Sequence, residues 1–208
     1  MSYNMIFKLM VRDLSVYRLS FLLISFLMLA VGMVTIFINT NTVGMFTSSG
    51  SSISTVVMAA YMSELKTRST WIHTASLPIT KKAMVTARFL TSVLICALNL
   101  LLWFLAFNLL SGSATPAIGA EVILFTWVQV LFQLALYFFV FYRFNMIVVM
   151  GVYLLPTVLW AVFSPKATPM SDLVIGNFQV FLIWILVSLG LFIASYFSAI
   201  SYLKKKDL

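Results

Sequence analysis

Long apolar stretches, separated by short polar connections, follow one another along almost the whole chain. The core of a bilayer is about 30 Å thick and is crossed by about 20 residues of helix, so an apolar stretch of that length predicts a membrane span. Six stretches have this length. They cover residues 19–38, 43–62, 85–110, 120–142, 145–163 and 176–203. The predicted fold class is therefore all-α: residues 1–208 form a single transmembrane domain, a polytopic membrane protein with six transmembrane helices.

The polar connections alternate in charge along the chain. All of the 13 Lys and Arg residues except Lys166 lie near the N-terminus, between spans two and three or at the start of span three (Arg88), between spans four and five, or after span six. The remaining connections are rich in Ser, Thr, Asn, Pro and Gly. Because Lys and Arg collect on the cytoplasmic side of membrane proteins, both termini are predicted to be cytoplasmic. An odd number of spans would put the two basic termini on opposite sides of the membrane.

The composition agrees with a membrane protein and excludes several classes of soluble protein. Apolar residues make up 62% of the chain and charged residues 9%, whereas soluble domains carry roughly 45–50% and 25%. This chain has too little polar surface for a soluble enzyme or a nucleic-acid-binding domain. The net charge of +8 is explained by the basic cytoplasmic connections, and no nucleic-acid partner is predicted.

Groups that could catalyse a reaction or bind a metal ion are scarce. There is one histidine, His73, and one cysteine, Cys96, so neither a two-histidine metal site nor an intrachain disulfide can form. The sequence lacks the glycine-rich phosphate loop that ends in Lys-Ser or Lys-Thr. None of the acidic residues lies in the middle of a span, which disfavours an ion-coupled carrier. They are Asp13, Glu64, Glu121, Asp172 and Asp207.

Residues 1–18 predict an amphipathic helix that lies in the membrane interface before the first span. Polar residues with helical spacing form one face, namely Asn4, Lys8, Arg12 and Ser15. Apolar residues form the opposite face, namely Ile6, Met10, Leu14 and Tyr17. This helix either anchors and orients the first span or moves together with a cytoplasmic partner.

The longest connection predicted to be cytoplasmic is the loop 63–82. Its first part can be helical, Pro78 ends that helix, and Thr80 can cap a helix that begins at Lys81. The loop is either an amphipathic interfacial linker or a short helix that docks on a soluble partner. The candidate partner-binding residues combine an apolar anchor with a charged rim. They are Glu64, Lys66, Arg68, Trp71, Ile72, His73, Leu77 and Pro78.

The stretches 76–82 (SLPITKK) and 85–90 (VTARFL) resemble a motif of the ATP-binding-cassette permeases of the type-2 exporter class, with Glu64 in the place of an acidic residue that precedes it. The chain is similar to the small membrane subunits of bacterial peptide-toxin and antimicrobial-peptide exporters, such as the phenol-soluble-modulin exporter. The resemblance implies that the loop 63–82 is a coupling helix for a separately encoded soluble ATPase. It further implies a dimer with a second permease copy or a paralogue, in a bacterial plasma membrane. ATP and Mg would be bound by the partner, with no cofactor in this chain.

Polar residues inside the spans are the candidates for contact with a transported molecule. They are Asn99 in span three, Thr126, Gln129 and Gln133 in span four, and Gln179 near the outer end of span six. The alternative is that they form hydrogen bonds between helices. Small residues in span two, including Ser54, predict that this span is buried in the bundle.

We predict a permease subunit, not itself an enzyme, that moves hydrophobic or amphipathic cargo out of the cell, for example toxin or antimicrobial peptides. Three alternatives stay open. A substrate-capturing subunit of an uptake transporter would bind a vitamin-sized ligand tightly. A non-transporting immunity or scaffold protein would need no ATPase. An intramembrane enzyme would need an acid–base pair at one depth in the membrane, and the sequence offers none.

Overall fold

The computed structural model describes residues 4–15, 22, 26, 53, 54, 57, 80–110, 119–143, 148, 151 and 177–205. Regular secondary structure within this part is entirely α-helical. The helical segments are α1 (residues 4–15), α2 (Lys81–Leu110), α3 (Ala120–Arg143) and α4 (Phe178–Lys205). The predicted all-α class is confirmed for these residues. Three of the described helices, α2, α3 and α4, are long and apolar enough to cross a membrane.

Helices α2, α3 and α4 correspond to the third, fourth and sixth predicted spans. Of the first, second and fifth spans the structure describes only single helical positions, at residues 22, 26, 53, 54, 57, 148 and 151. The count of six spans therefore stays a prediction. The loop 63–79 and the segment 164–175 also lie outside the described residues.

Helix α2 begins at a side-chain cap. The hydroxyl oxygen of Thr80 accepts a hydrogen bond from the backbone N–H of Ala83, at 3.3 Å, which confirms the predicted cap. Lys81 and Lys82 follow in the first turn, although positive charge at a helix N-terminus opposes the helix dipole. The requirement for basic residues on one side of the membrane outweighs this local electrostatic penalty.

Polar residues also begin α3 and α4. Gly119 precedes α3, and Glu121 stands in its first turn, where a negative charge is favoured by the helix dipole. The side-chain oxygen of Asn177 accepts hydrogen bonds from the backbone N–H groups of Gln179 and Val180, at 3.1 and 3.4 Å. This cap fixes the start of the sixth span at a residue type that caps helices well.

The three long helices bring their basic ends together. Side chains near the start of α2 contact side chains near the ends of α3 and α4: Phe89 stacks on Phe138, and Thr86 lies 2.9 Å from the hydroxyl of Tyr196. Helix α2 therefore runs antiparallel to both α3 and α4. Basic residues gather at this end of the three helices, namely Lys81, Lys82, Arg143, Lys204 and Lys205. Below we call it the basic end.

Helix α3 is the most enclosed of the three and provides much of the main apolar core. Its buried residues are Val122, Phe125, Thr126, Val128, Val130, Leu131, Leu134, Ala135, Tyr137, Phe138, Val140, Phe141 and Tyr142. Helix α2 has two different sides. One is buried in the core, and the other carries an exposed row of leucines at helical spacing: Leu90, Leu94, Leu98, Leu101, Leu105 and Leu109. This row is suited to contact with lipid.

Helix α4 lies at the periphery of the described bundle. Its buried residues are Ser188, Ser195, Ala199, Ile200 and Leu203, so burial is concentrated toward the basic end. Toward the other end, large apolar side chains such as Phe178 and Ile183 are exposed within the chain. The fully buried residues of the sixth span therefore lie in the half that ends in Lys204 and Lys205, although α4 also contacts α3 in its other half, through Trp184 and Phe132.

Helix α1 packs on the start of α2. Leu9 forms a buried cluster with Ala83 and Ala87, and Met5, Ile6 and Met10 pack around it. Two alanines spaced four residues apart leave room for a second helix to approach closely. The apolar side of the predicted interfacial helix thus lies against protein. Its exposed side carries Asn4, Lys8 and Ser15, as predicted, together with the apolar residues Phe7 and Val11.

Candidate functional site

The first turns of α2 form the candidate site, because they directly follow the loop predicted to bind a partner. Within three turns of Thr80, side chains of α2 contact the N-terminal helix, the fourth span and the sixth span. A displacement of the loop would reach all three elements through this segment. We call residues 80–92 the base of span three.

A hydrogen bond joins the base of span three to the sixth span. The oxygen atoms of the Thr86 and Tyr196 hydroxyls are 2.9 Å apart. The Thr86 hydroxyl also donates to the backbone carbonyl of Lys82, at 2.8 Å. Since a threonine hydroxyl has one proton to give, Tyr196 is the donor in the bond between the spans.

Aromatic rings surround this bond. Phe89 is buried and stacks on Phe138 of α3, with ring centroids 4.0 Å apart. It meets Phe192 and Tyr196 of α4 edge-on, at 5.3 and 5.4 Å. Such pairs contribute about 0.5–1.5 kcal/mol each beyond the burial of their surface. Phe89 thereby ties three spans together at one level, close to the basic end.

A buried cation lies between these contacts. Arg88 is only 1% exposed and interacts with another group of the protein. Burial of a guanidinium is costly without polar partners. Arg88 stands between Ala87, which touches the N-terminal helix, and Phe89, which touches the fourth and sixth spans. We call the place where these elements meet the junction, and Arg88 is part of it.

The polar residues predicted to line a cargo path divide by their hydrogen bonds. The side chains of Asn99 and Thr126 donate to carbonyls of their own helices, those of Ile95 and Val122. Gln133 accepts a hydrogen bond from Ser54 of the second span. These three groups have partners within the chain, but only the bond of Gln133 joins two helices, as the alternative of hydrogen bonding between helices predicts.

Two of the path candidates differ from the others. Gln129 is partly buried on α3, and Gln179 is exposed in the first turn of α4. Neither side chain shares a hydrogen bond with the others of the set. No hydrogen bond joins any two of the five residues, all of which the structure describes, and their contact with cargo stays a prediction.

The predicted partner-binding residues of the loop lie outside the described part of the chain. They are Glu64, Lys66, Arg68, Trp71, Ile72, His73, Leu77 and Pro78. What the structure does describe is the helix into which this loop leads. No group of three or more metal-binding side chains occurs among the described residues.

Comparison with known families decides the broad identity of the chain. The family model described as ABC-2 family transporter protein matches residues 8–204. The chain belongs to the ABC-2 family of transporter proteins. The resemblance seen in the loop motif is thereby confirmed at the level of this family. Among curated proteins and among solved structures, no match was found.

Membership in the ABC-2 family explains the architecture around the site. ABC-2 permeases are multi-pass membrane subunits of transporters and associate with an ABC ATPase. In this ABC-2 protein, the helix that follows the candidate ATPase-binding loop is connected to every other long helix that the structure describes. The arrangement suits a subunit that receives force from a partner.

The principal contacts of the site in this ABC-2 protein were not predicted from the sequence. The spacing of Ala83 and Ala87 is a signal for close helix packing that could have predicted the contact with α1. The pairing of Thr86 with Tyr196 has no local signal, because the two residues are 110 positions apart.

Proposed function

We propose that this protein is the permease subunit of an ABC exporter, driven by a separately encoded soluble ATPase that docks on the loop 63–82. The ATPase binds ATP and Mg, and this chain provides the path through the membrane. The observation that carries the proposal is the position of the loop: it leads directly into the base of span three. Family membership supports the ATPase partner.

Two further parts of the proposal concern assembly and cargo. The permease works as a dimer with a second copy or a paralogue, and both termini are cytoplasmic. The cargo is amphipathic or hydrophobic, for example a toxin or antimicrobial peptide. The aromatic content of the chain, 15%, supports such cargo over a hydrated ion, because aromatic walls offer little to replace the water around an ion.

The docking role rests on apolar anchors in the loop. Trp71 and Leu77 supply the large apolar side chains that dominate binding energy at protein interfaces. Tagged protein is extracted from its own cells in mild detergent, and the eluate is assayed for a copurifying subunit and for ATP hydrolysis. We expect a roughly stoichiometric ATPase with the unmodified chain and its loss in the Trp71→Ala, Leu77→Ala variant.

A matched control separates docking from general loss of apolar surface. Phe178→Ala with Leu182→Ala removes two exposed apolar side chains from the other end of the molecule, and this variant should retain the ATPase. If the loop variant folds and keeps both the ATPase and its activity, docking on this loop is wrong. If the unmodified chain elutes alone, a ligand-capturing or scaffold role replaces the exporter. Copurification of a vitamin-sized ligand would favour the former.

A further inference from the structure

We propose that Thr86, Phe89 and Tyr196 form a joint that makes the sixth span move together with the base of span three. The inference rests on the proposed function, in which the loop 63–82 receives force from an ATPase. It assigns to these residues a positioning role in transport: they transmit movement and need not touch cargo.

The first step is the position of the joint along α2. Thr86 lies only four residues after Lys82, at the end of the predicted docking loop. The chain between them is one helical turn, capped by Thr80 and closed by the hydrogen bond from Thr86 to the carbonyl of Lys82. A helix turn closed in this way transmits displacement with little bending, so movement of the loop end reaches Thr86.

The second step is the bond across to α4. Tyr196 donates to Thr86 while the edge of its ring contacts Phe89, with ring centroids 5.4 Å apart. Phe192, one turn away on α4, contacts the same phenylalanine at 5.3 Å. Two adjacent turns of α4 thus hold two adjacent turns of α2. Sliding of one helix along the other would break the hydrogen bond and both ring contacts together.

The third step is the attachment of α4 to α3. Helix α4 packs more extensively on α3 than on α2, and the ring contact between Phe132 and Trp184 carries this packing toward the end opposite the joint. The fully buried residues of α4 begin at Ser188 and continue toward the basic end. A displacement that reaches α4 at the joint therefore moves a packed helix, not one end of it alone.

Hydroxyl deletion tests the joint with minimal change in shape. Tyr196→Phe and Thr86→Val each remove the bond between the spans, whereas Thr86→Ser retains the hydroxyl. Thr126→Val is the matched control, because its hydroxyl also bonds a carbonyl four residues back but, among the described residues, forms no hydrogen bond to another helix. All are made in a Cys96→Ala background that removes the single cysteine.

Spin labels at Lys82→Cys and Lys204→Cys, both exposed positions at the basic end, report the distance between α2 and α4. In lipid nanodiscs the background protein should give one narrow distance distribution. In Tyr196→Phe and in Thr86→Val, the fraction of molecules outside that peak should rise about three- to twentyfold, the factor that corresponds to one hydrogen bond between membrane helices. Thr86→Ser and Thr126→Val should resemble the background.

The same label pair in the complex with the ATPase, trapped with ATP and vanadate, tests transmission. We expect an unchanged distance in the background protein and a shifted one in the two deletion variants, since α2 then moves without α4. If both deletion variants keep the background distribution in both conditions, the joint is overturned. The two proposals can also fail separately. If the chain binds no ATPase but the deletion variants lose the narrow distance distribution, the joint is supported and the proposed function is wrong.

Discussion

The hydroxyl of Ser54 donates a hydrogen bond to the side-chain oxygen of Gln133, 79 residues further along the chain. Ser54 is fully buried, and so is Val57 one turn later. The described part of the second predicted span therefore lies against the fourth, inside the bundle. The prediction that small residues make span two an interior helix is confirmed at these positions.

Removal of this hydrogen bond should lower stability measurably. In Ser54→Ala the oxygen of Gln133 loses its donor, while the change in volume is small. Hydrogen bonds between membrane helices contribute about 0.6 kcal/mol on average and up to about 1.7 kcal/mol. We expect a loss in this range, measured as a lower midpoint of thermal unfolding of the purified protein in detergent.

A serine whose hydroxyl bonds only its own helix provides the control. Ser195 is also buried, and its hydroxyl donates to the carbonyl of Phe192. Ser195→Ala should change the midpoint by less than Ser54→Ala does. Equal effects would show that loss of a buried hydroxyl, and not loss of the tie to span four, determines the result.

The contact between α1 and α2 should not tolerate a larger side chain. Ala87 is 1% exposed and touches the cluster around Leu9. Ala87→Leu inserts three carbon atoms there, and overpacking costs typically about 1–3 kcal/mol. Because α1 is a short helix that packs on α2 through this cluster, it should detach before the bundle unfolds. Limited proteolysis at Lys8 and Arg12 should then become faster, with the core left intact.

Ala194→Leu gives the comparison for this prediction. Ala194 is exposed on α4, so the same enlargement meets no packed neighbour within the chain. Proteolysis at Lys8 and Arg12 should keep its original rate. If Ala87→Leu also leaves the rate unchanged, α1 is not held by this contact.

The spans that the structure describes were predictable from the sequence, but their packing partners were not. In a soluble helix, the apolar side marks the buried face. In a membrane both the lipid and the bundle favour apolar side chains, so nothing in composition separates exposed Leu94 from buried Leu100 on α2. The helix starts were readable where a capping residue such as Thr80 stands before the apolar run.

In the candidate site, too, local features were predictable from the sequence and contacts between helices were not. The loop motif identified the family, because it depends on the order of residues along the chain. The junction at Phe89 depends on which sides of three spans face one another, and along the sequence this residue stands out only as part of a motif. The side chains of Asn99 and Thr126 bond carbonyls of their own helices, and their contact with cargo stays a prediction.

The direction of the spans is open to a direct test. Helix α2 is antiparallel to α3 and α4, and their basic ends lie together, so this end should face the cytoplasm. Alkaline phosphatase, which is active only outside the cytoplasm, should be active when fused after residue 115 and inactive when fused after Arg143. A fluorescent protein that folds only in the cytoplasm should be fluorescent after Leu208. The reversed result at all three positions would contradict the predicted cytoplasmic termini.

Arg88 should be the most sensitive basic residue among those described on α2. It is 1% exposed and interacts with another group of the protein, so Arg88→Leu leaves that group without its partner. Loss of the partner of a buried polar group costs about 1–3 kcal/mol. We expect a fall in the unfolding midpoint, with Arg88→Lys intermediate because it keeps the charge but not the planar set of donors.

Lys82 provides the control for this experiment, because it is exposed and lies less than two turns away on the same helix. It shows whether loss of the charge alone, without burial, changes stability. Lys82→Leu removes an equal charge, but it should change the free energy of unfolding by no more than about 0.5 kcal/mol, as is usual for surface substitutions. If Arg88→Leu lowers the unfolding midpoint no more than Lys82→Leu does, the buried guanidinium is not needed for stability. The large difference that we expect would place Arg88, between the residues that touch α1 and those that touch α3 and α4, at the centre of the junction.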